Sequence, residues 1–198
     1  MALITLIEIW RIIVMTFGVG FIFSFYVERK REPKDIIEQY KSGYMSKFNF
    51  NKDNILFAAA IAAPGIILHE LAHKFVAMSF GLQATFYAAY LFLAFAIVLM
   101  IAGFPLVFFV PGYVSISGAG TYLQYSLIAF AGPLFNFVMF GISWLVLKNS
   151  KKFKLSRNAA YAWALSKKIN LFLFIFNLLP IPGFDGWSVY YNLFKAFF

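Results

Sequence analysis

The chain has 198 residues, is 62% hydrophobic and only 13% charged, and carries a formal net charge of +9. Ordinary soluble domains are roughly half apolar and a quarter charged, so this composition excludes a water-soluble globule and points to an all-α polytopic membrane protein. Cysteine is absent, which excludes disulfides and thiolate metal sites and leaves nitrogen and oxygen as the only metal donors.

Residues 3–27 form the first expected span, read as a retained helix because no basic n-region precedes it and no small-residue cleavage site follows. Glu8 and Arg11 near its start are spaced i, i+3, which suits a local ion pair snorkelling at the interface. Residues 28–53 are a polar loop with seven basic and five acidic residues, and Pro33 could open a short surface helix there. This loop and the basic loop at 148–157 flank apolar stretches, which predicts contact with anionic lipid headgroups and no nucleic-acid partner.

Residues 54–80 form the second span, with Asn54 as its expected N-cap and Gly81 as its stop. Its second half carries His69-Glu70-Leu71-Ala72-His73, which contains the only two histidines of the chain. Residues four apart on a helix leave the same face, so both imidazoles can bind one ion. Glu70 is offset by about 100°, where its carboxylate can reach a metal-activated water. Pro64-Gly65, about one turn earlier, could kink the helix and let water approach.

Residues 85–110 are apolar enough to span, but Gly103-Phe104-Pro105 interrupts them and Pro111-Gly112 ends them. Tyr113-Val114-Ser115-Ile116-Ser117 alternates in polarity and reads as extended, either an edge strand lining a cavity or an ordinary exterior turn. Residues 122–147 span again and contain Ala131-Gly132-Pro133-Leu134-Phe135-Asn136, whose small residues allow close helix packing and whose asparagine offers an interhelical hydrogen bond. Residues 159–179 make the last span, with Lys167 and Lys168 near its start. Residues 187–198 are too short to cross and read as an amphipathic interfacial tail. The expected architecture is one domain over 1–198 with four to five membrane-spanning helices, a candidate re-entrant segment and a short extended segment near the active site.

A hydrolytic zinc usually takes three protein ligands and leaves a position for water. Beyond Asp53 the only acids are Glu70 and Asp185, so Asp185 is the candidate third ligand beside His69 and His73. It follows Pro180-Ile181-Pro182-Gly183, a break that unwinds the backbone, and Gly186 would permit a sharp turn after it. The chemistry expected is water attack on a peptide carbonyl with Glu70 as general base, and Asn177 donating a hydrogen bond to the developing oxyanion.

These motifs resemble the site-2 protease family of intramembrane zinc metalloproteases. The resemblance rests on His69-Glu70-Leu71-Ala72-His73, Ala131-Gly132-Pro133-Leu134-Phe135-Asn136 and Asn177-Leu178-Leu179-Pro180-Ile181-Pro182-Gly183-Phe184-Asp185-Gly186, in the family's order within residues 54–187. It implies one Zn2+ per chain held by His69, His73 and Asp185, with Glu70 and Asn177 as catalytic residues. It also implies a substrate-facing segment at Gly112, Tyr113 and Val114, and transmembrane proteins of the cell membrane as substrates. No PDZ-like insertion interrupts the motifs, so the likeness is to a minimal member. Two other classes are weighed beside it: a catalytically silent relative that binds membrane partners, and a transporter with His and Asp in an ion path. The intact motif set argues against the first, and the scarcity of polar residues along the spans argues against the second. For Asp185 to meet the histidines, an even number of crossings must separate them, which requires 85–110 to be a hairpin without net crossing.

Overall fold

The computed structural model describes residues 3–28, 52–104 and 112–198. Helix α1 spans Leu6–Glu28, α2 spans Lys52–Ser79, α3 spans Tyr90–Ile101, α4 spans Tyr122–Lys148, α5 spans Arg157–Asn177 and α6 spans Asp185–Phe197. Strands β1, Gln83–Ala88, and β2, Gly112–Ser117, form one antiparallel pair. Helices α1, α2, α4 and α5 are long and apolar enough to cross a bilayer, so the chain is an all-α membrane protein with one small two-stranded sheet. The expected surface helix after Pro33 and the proline breaks at Pro105 and Pro111 lie outside the described residues.

Local sequence explains where the helices begin and end. Helix α2 starts at Lys52, so Asn54 is a buried residue inside the first turn and not the expected N-cap. The helix runs on through Pro64 and stops at Gly81, whose φ of +79° suits glycine, while the Leu82 N–H closes onto the Ala77 carbonyl at 3.1 Å. Thr121 and Gln124 form a reciprocal capping box at the start of α4, and Ser156 caps α5 through the Ala159 N–H.

Helix α2 is the central element. Met15, Val19 and Ile22 of α1, Ile66 and Leu71 of α2, Phe86 of β1, Leu93 and Met100 of α3 and Ile169 of α5 make one buried cluster. The outward faces of α1, α3 and α4 carry exposed Trp10, Phe92 and Phe137, as lipid contact requires.

The described part of the stretch 85–110, residues 85–104, does not form a span. Its first residues belong to β1, which pairs Ala88 with Gly112 and Gln83 with Ser117, so the segment leaves and returns at one place. Helix α3, at 12 residues, reaches about 18 Å and falls short of the roughly 30 Å hydrocarbon core. Among the described residues only α4 and α5 are long and apolar enough to cross between the end of α2 and Asp185, and the two motif-bearing ends meet as the chemistry requires.

The expected local pair of Glu8 with Arg11 does not form. Glu8 is 1% exposed and its Oε1 accepts from Lys74 Nζ and from the Phe86 N–H at 2.8 Å, while Oε2 accepts from the Thr5 N–H at 2.8 Å and Oγ1 at 3.0 Å. Arg11 instead donates to the Phe86 carbonyl at 2.6 Å and lies 4.0 Å over the Tyr87 ring. A carboxylate taken out of water needs a counter-charge and full hydrogen bonding; Thr5 supplies two bonds locally, while Lys74 and the Phe86 N–H lie 66 and 78 residues away. The pair ties α1, α2 and β1 together one residue beyond His73. Lys74→Met should therefore cost about 3–5 kcal/mol by stranding Glu8, and adding Glu8→Gln should recover most of it. Denaturant unfolding of the three proteins in mild detergent checks both expectations.

Candidate metal site and active-site cavity

His69 and His73 project from successive turns of α2, with ring centroids 4.8 Å apart and planes at 84°. Asp185 is the first residue of α6, so the helix that follows the last span presents its carboxylate to both imidazoles. Asp185 Oδ2 lies 3.0 Å from His69 Nε2 and 3.4 Å from His73 Nε2, and the two Nε2 atoms are 3.1 Å apart. Among the described residues these three form the one group with metal-ligand spacing.

The outer nitrogens decide what this triangle can hold. His69 Nδ1 lies 2.5 Å from Asn136 Oδ1, and His73 Nδ1 lies 2.7 Å from the Ile128 carbonyl. Asn136 donates its own amide hydrogens to the Gly65 carbonyl and to Asn170 Oδ1, both at 2.9 Å, so its oxygen is the atom turned to His69. Both histidines therefore donate from Nδ1, and each Nε2 lone pair faces inward. Two such lone pairs and a carboxylate oxygen at about 3 Å repel one another unless a cation lies between them. Ligand atoms at 2.0–2.1 Å from a tetrahedral centre stand about 3.3–3.4 Å apart, close to the triangle observed. The donors present fit zinc.

Two glycines make the arrangement sterically feasible. A Cβ on Gly132 of α4 would fall 2.7 Å from His69 Cε1 and closer still to the His73 ring, so only glycine lets α4 lie against the site. A Cβ on Gly186 would fall 2.5 Å from the Leu179 carbonyl oxygen. Gly186 thus serves the close approach of α6 to the end of α5, which seats Asp185, and not the sharp turn expected after it.

A cavity of about 760 Å³ opens beside the three ligands. Glu70, half-buried, lines it next to the histidines, and Asn177 lines it from the end of α5. Gly112, Tyr113 and Val114 line it from β2, so the expected extended segment is a strand at the cavity and not an exterior turn. His69, Glu70, His73, Asp185, Asn177, Gly112, Tyr113 and Val114 all line this one space. Asn136 does more than pack, since it orients a ligand. Asn170, fully buried and hydrogen-bonded to Asn136, was not distinguishable by motif; its only signal is a polar side chain in an apolar helix.

Comparison with known proteins points the same way. The chain is 33% identical to a provisionally named zinc metalloprotease of Methanocaldococcus jannaschii over 142 residues, which are 71% of this chain and 72% of the relative. It is 32% identical to one of Bacillus subtilis over 73 residues, 34% of this chain and 33% of the relative. A third, from Mycobacterium tuberculosis, is 27% identical over 137 residues, 62% of this chain and 51% of the relative. No family model matches the chain, and no solved structure matches it.

Two substitutions test the geometry. Asn136→Leu should weaken zinc binding about 10- to 100-fold, as the loss of a ligand's outer hydrogen-bond partner generally does, measured by competition with a chromogenic chelator. Gly132→Ala should abolish stoichiometric zinc while leaving the helical circular-dichroism signal in place.

Proposed function

The chain belongs to the site-2 protease family of zinc metalloproteases, and on that premise we propose that it is an intramembrane endopeptidase cutting transmembrane segments of other proteins in the cell membrane. The observation that carries this reading is the buried triangle of His69 Nε2, His73 Nε2 and Asp185 Oδ2, both imidazoles locked with lone pairs inward, on a helix able to cross a membrane.

When bound by these three residues, zinc would supply a Lewis acid that polarises a carbonyl and brings the pKa of a bound water to about 7. Glu70 takes the proton of the attacking water and returns it to the leaving amine, so one carboxylate acts first as base and then as acid. The Asn177 side-chain amide donates to the scissile carbonyl oxygen as negative charge develops there.

Strand β2 would hold the substrate. A transmembrane helix satisfies its own backbone, so a peptide unwound for attack needs new partners for its exposed amides. At Phe86 of β1 both the N–H and the carbonyl are taken by Glu8 and Arg11, so they point away from β2. In an antiparallel ladder, residues opposite each other share their orientation. Val114, the partner of Phe86, therefore turns its N–H and carbonyl to the outer edge of β2, and alternation gives Gly112 and Ile116 the same direction. Gly112, Val114 and Ile116 all line the cavity, where an extended peptide would add as a third strand. Tyr113 stacks on Tyr87, centroids 5.5 Å apart, and Arg11 lies on that ring in turn, which holds the strand in place.

A catalytically silent binding protein would need none of the ligand orientation described above. Glu70→Gln should lower cleavage of a reconstituted transmembrane substrate by at least about 10²-fold, the scale of general acid–base catalysis. Asn177→Ala should lower kcat by about 10²-fold with KM little changed, the signature of a donor that acts only on the developing charge. Steady-state kinetics in proteoliposomes decides both.

A further inference from the structure

Lys168 lines the same cavity and lies midway along α5, a helix read as crossing the bilayer. It is exposed to the cavity, and among the described residues no carboxylate stands within ion-pair distance of it. An ammonium at membrane depth is costly unless it is paired or wetted, and cations kept there mark functional paths. Lys74, a fully buried lysine of α2, is matched by Glu8. The two acids that line the cavity are Glu70 and Asp185, and both belong to the metal site. Among the described residues, Lys168 is thus a cation facing the cavity without a protein counter-charge.

Its position along α5 sets what it can meet. Tyr161, Leu165, Lys168, Phe172 and Phe176 recur at spacings of three or four and line the cavity from one face of the helix. From Lys168 to Asn177 is nine residues, about 14 Å of helix. An extended peptide covers that distance in about four residues. We propose that Lys168 is a specificity-determining residue that pairs with a substrate carboxylate about four residues from the scissile bond. This rests on the protease reading above, because Asn177 marks the scissile position only in that reading. A carboxylate carried into the cavity would gain a partner that water and lipid tails do not supply, whereas a neutral residue would leave the ammonium unpaired. The carboxylate can come from an Asp or Glu side chain or from a substrate C-terminus already exposed by an earlier cut.

The test uses the full-length protein in vesicles of neutral phospholipid and synthetic apolar peptides of about 20 residues, capped at both ends, each carrying one Asp or Asn at a stepped position. Cut sites are mapped by mass spectrometry. The wild type should cut about four residues from the Asp, the cut should move with the Asp as it is stepped, and the Asp peptides should be favoured over Asn about tenfold. Lys168→Glu should transfer this registration to peptides carrying Lys, and Lys168→Met should lose it. An uncharged peptide with a free C-terminus at the same distance distinguishes the terminal carboxylate from the side chain.

Cuts at fixed positions regardless of the Asp, or registration that survives Lys168→Met, would overturn the proposal. Binding of the same fluorescent peptides to Glu70→Gln is measured in parallel. A tenfold preference for Asp that depends on Lys168 in binding, with no cleavage by the wild type, would support the role of Lys168 and defeat the protease reading. Equal binding of Asp and Asn peptides would defeat the proposal alone. If Lys168→Met fails to fold, Lys168→Arg and Lys168→Gln replace it, the first expected to keep registration and the second to lose it.

Discussion

Three electron-pair donors face one another at about 3 Å in the interior of an apolar chain, and the rest of the structure follows from making that arrangement tenable. In water such a cluster would relax by hydration or protonation. Inside packed helices neither imidazole can turn, because Asn136 and the Ile128 carbonyl hold the outer nitrogens. A cation at the centre would relieve the unfavourable contact and couple metal binding to local folding. Outer-nitrogen hydrogen bonding turns both Nε2 atoms inward, the orientation a metal site would need.

The same reasoning orders the scaffold around α2. Gly132 brings α4 against the imidazoles, and Gly186 brings α6 against the end of α5, so two missing side chains place two of the helices around the site. On the opposite flank, Glu8 and Lys74 fasten α1 to α2 and occupy the backbone of β1 at Phe86. That occupation closes the outer edge of β1 and leaves β2 as the edge facing the cavity. Edge strands readily recruit partners, and here one edge is blocked while the other opens on the site.

Much of this was legible in the sequence where the signal is local. Four of the spans follow from apolar length, and the pairing of His69 with His73 follows from helical spacing. Asp185 follows from the scarcity of acids, and the strand near residue 113 from two-residue alternation. Signals that depend on distant partners were not legible. Glu8 and Arg11 look like a local pair because their spacing permits one, but the carboxylate is satisfied by Lys74 and Phe86, which no periodicity connects to it. Residues 85–88 look like the start of a span because a half-buried strand of Thr, Phe and Tyr is as apolar as a helix over so short a window. Asn136 looks like packing until the ring it orients is known. Gly186 looks like a turn residue because it follows a Pro-Gly break and no pattern of small residues marks its close approach to Leu178 and Leu179.

The most direct test of the central claim is the zinc content of purified protein stripped with chelator and reloaded, wild type beside Asp185→Ala. The account predicts about one zinc per chain in the wild type and none retained by Asp185→Ala after desalting, because two histidines alone make an incomplete site. Zinc held equally by Asp185→Ala would show that the carboxylate beside the histidines is not a ligand and would contradict the site described here.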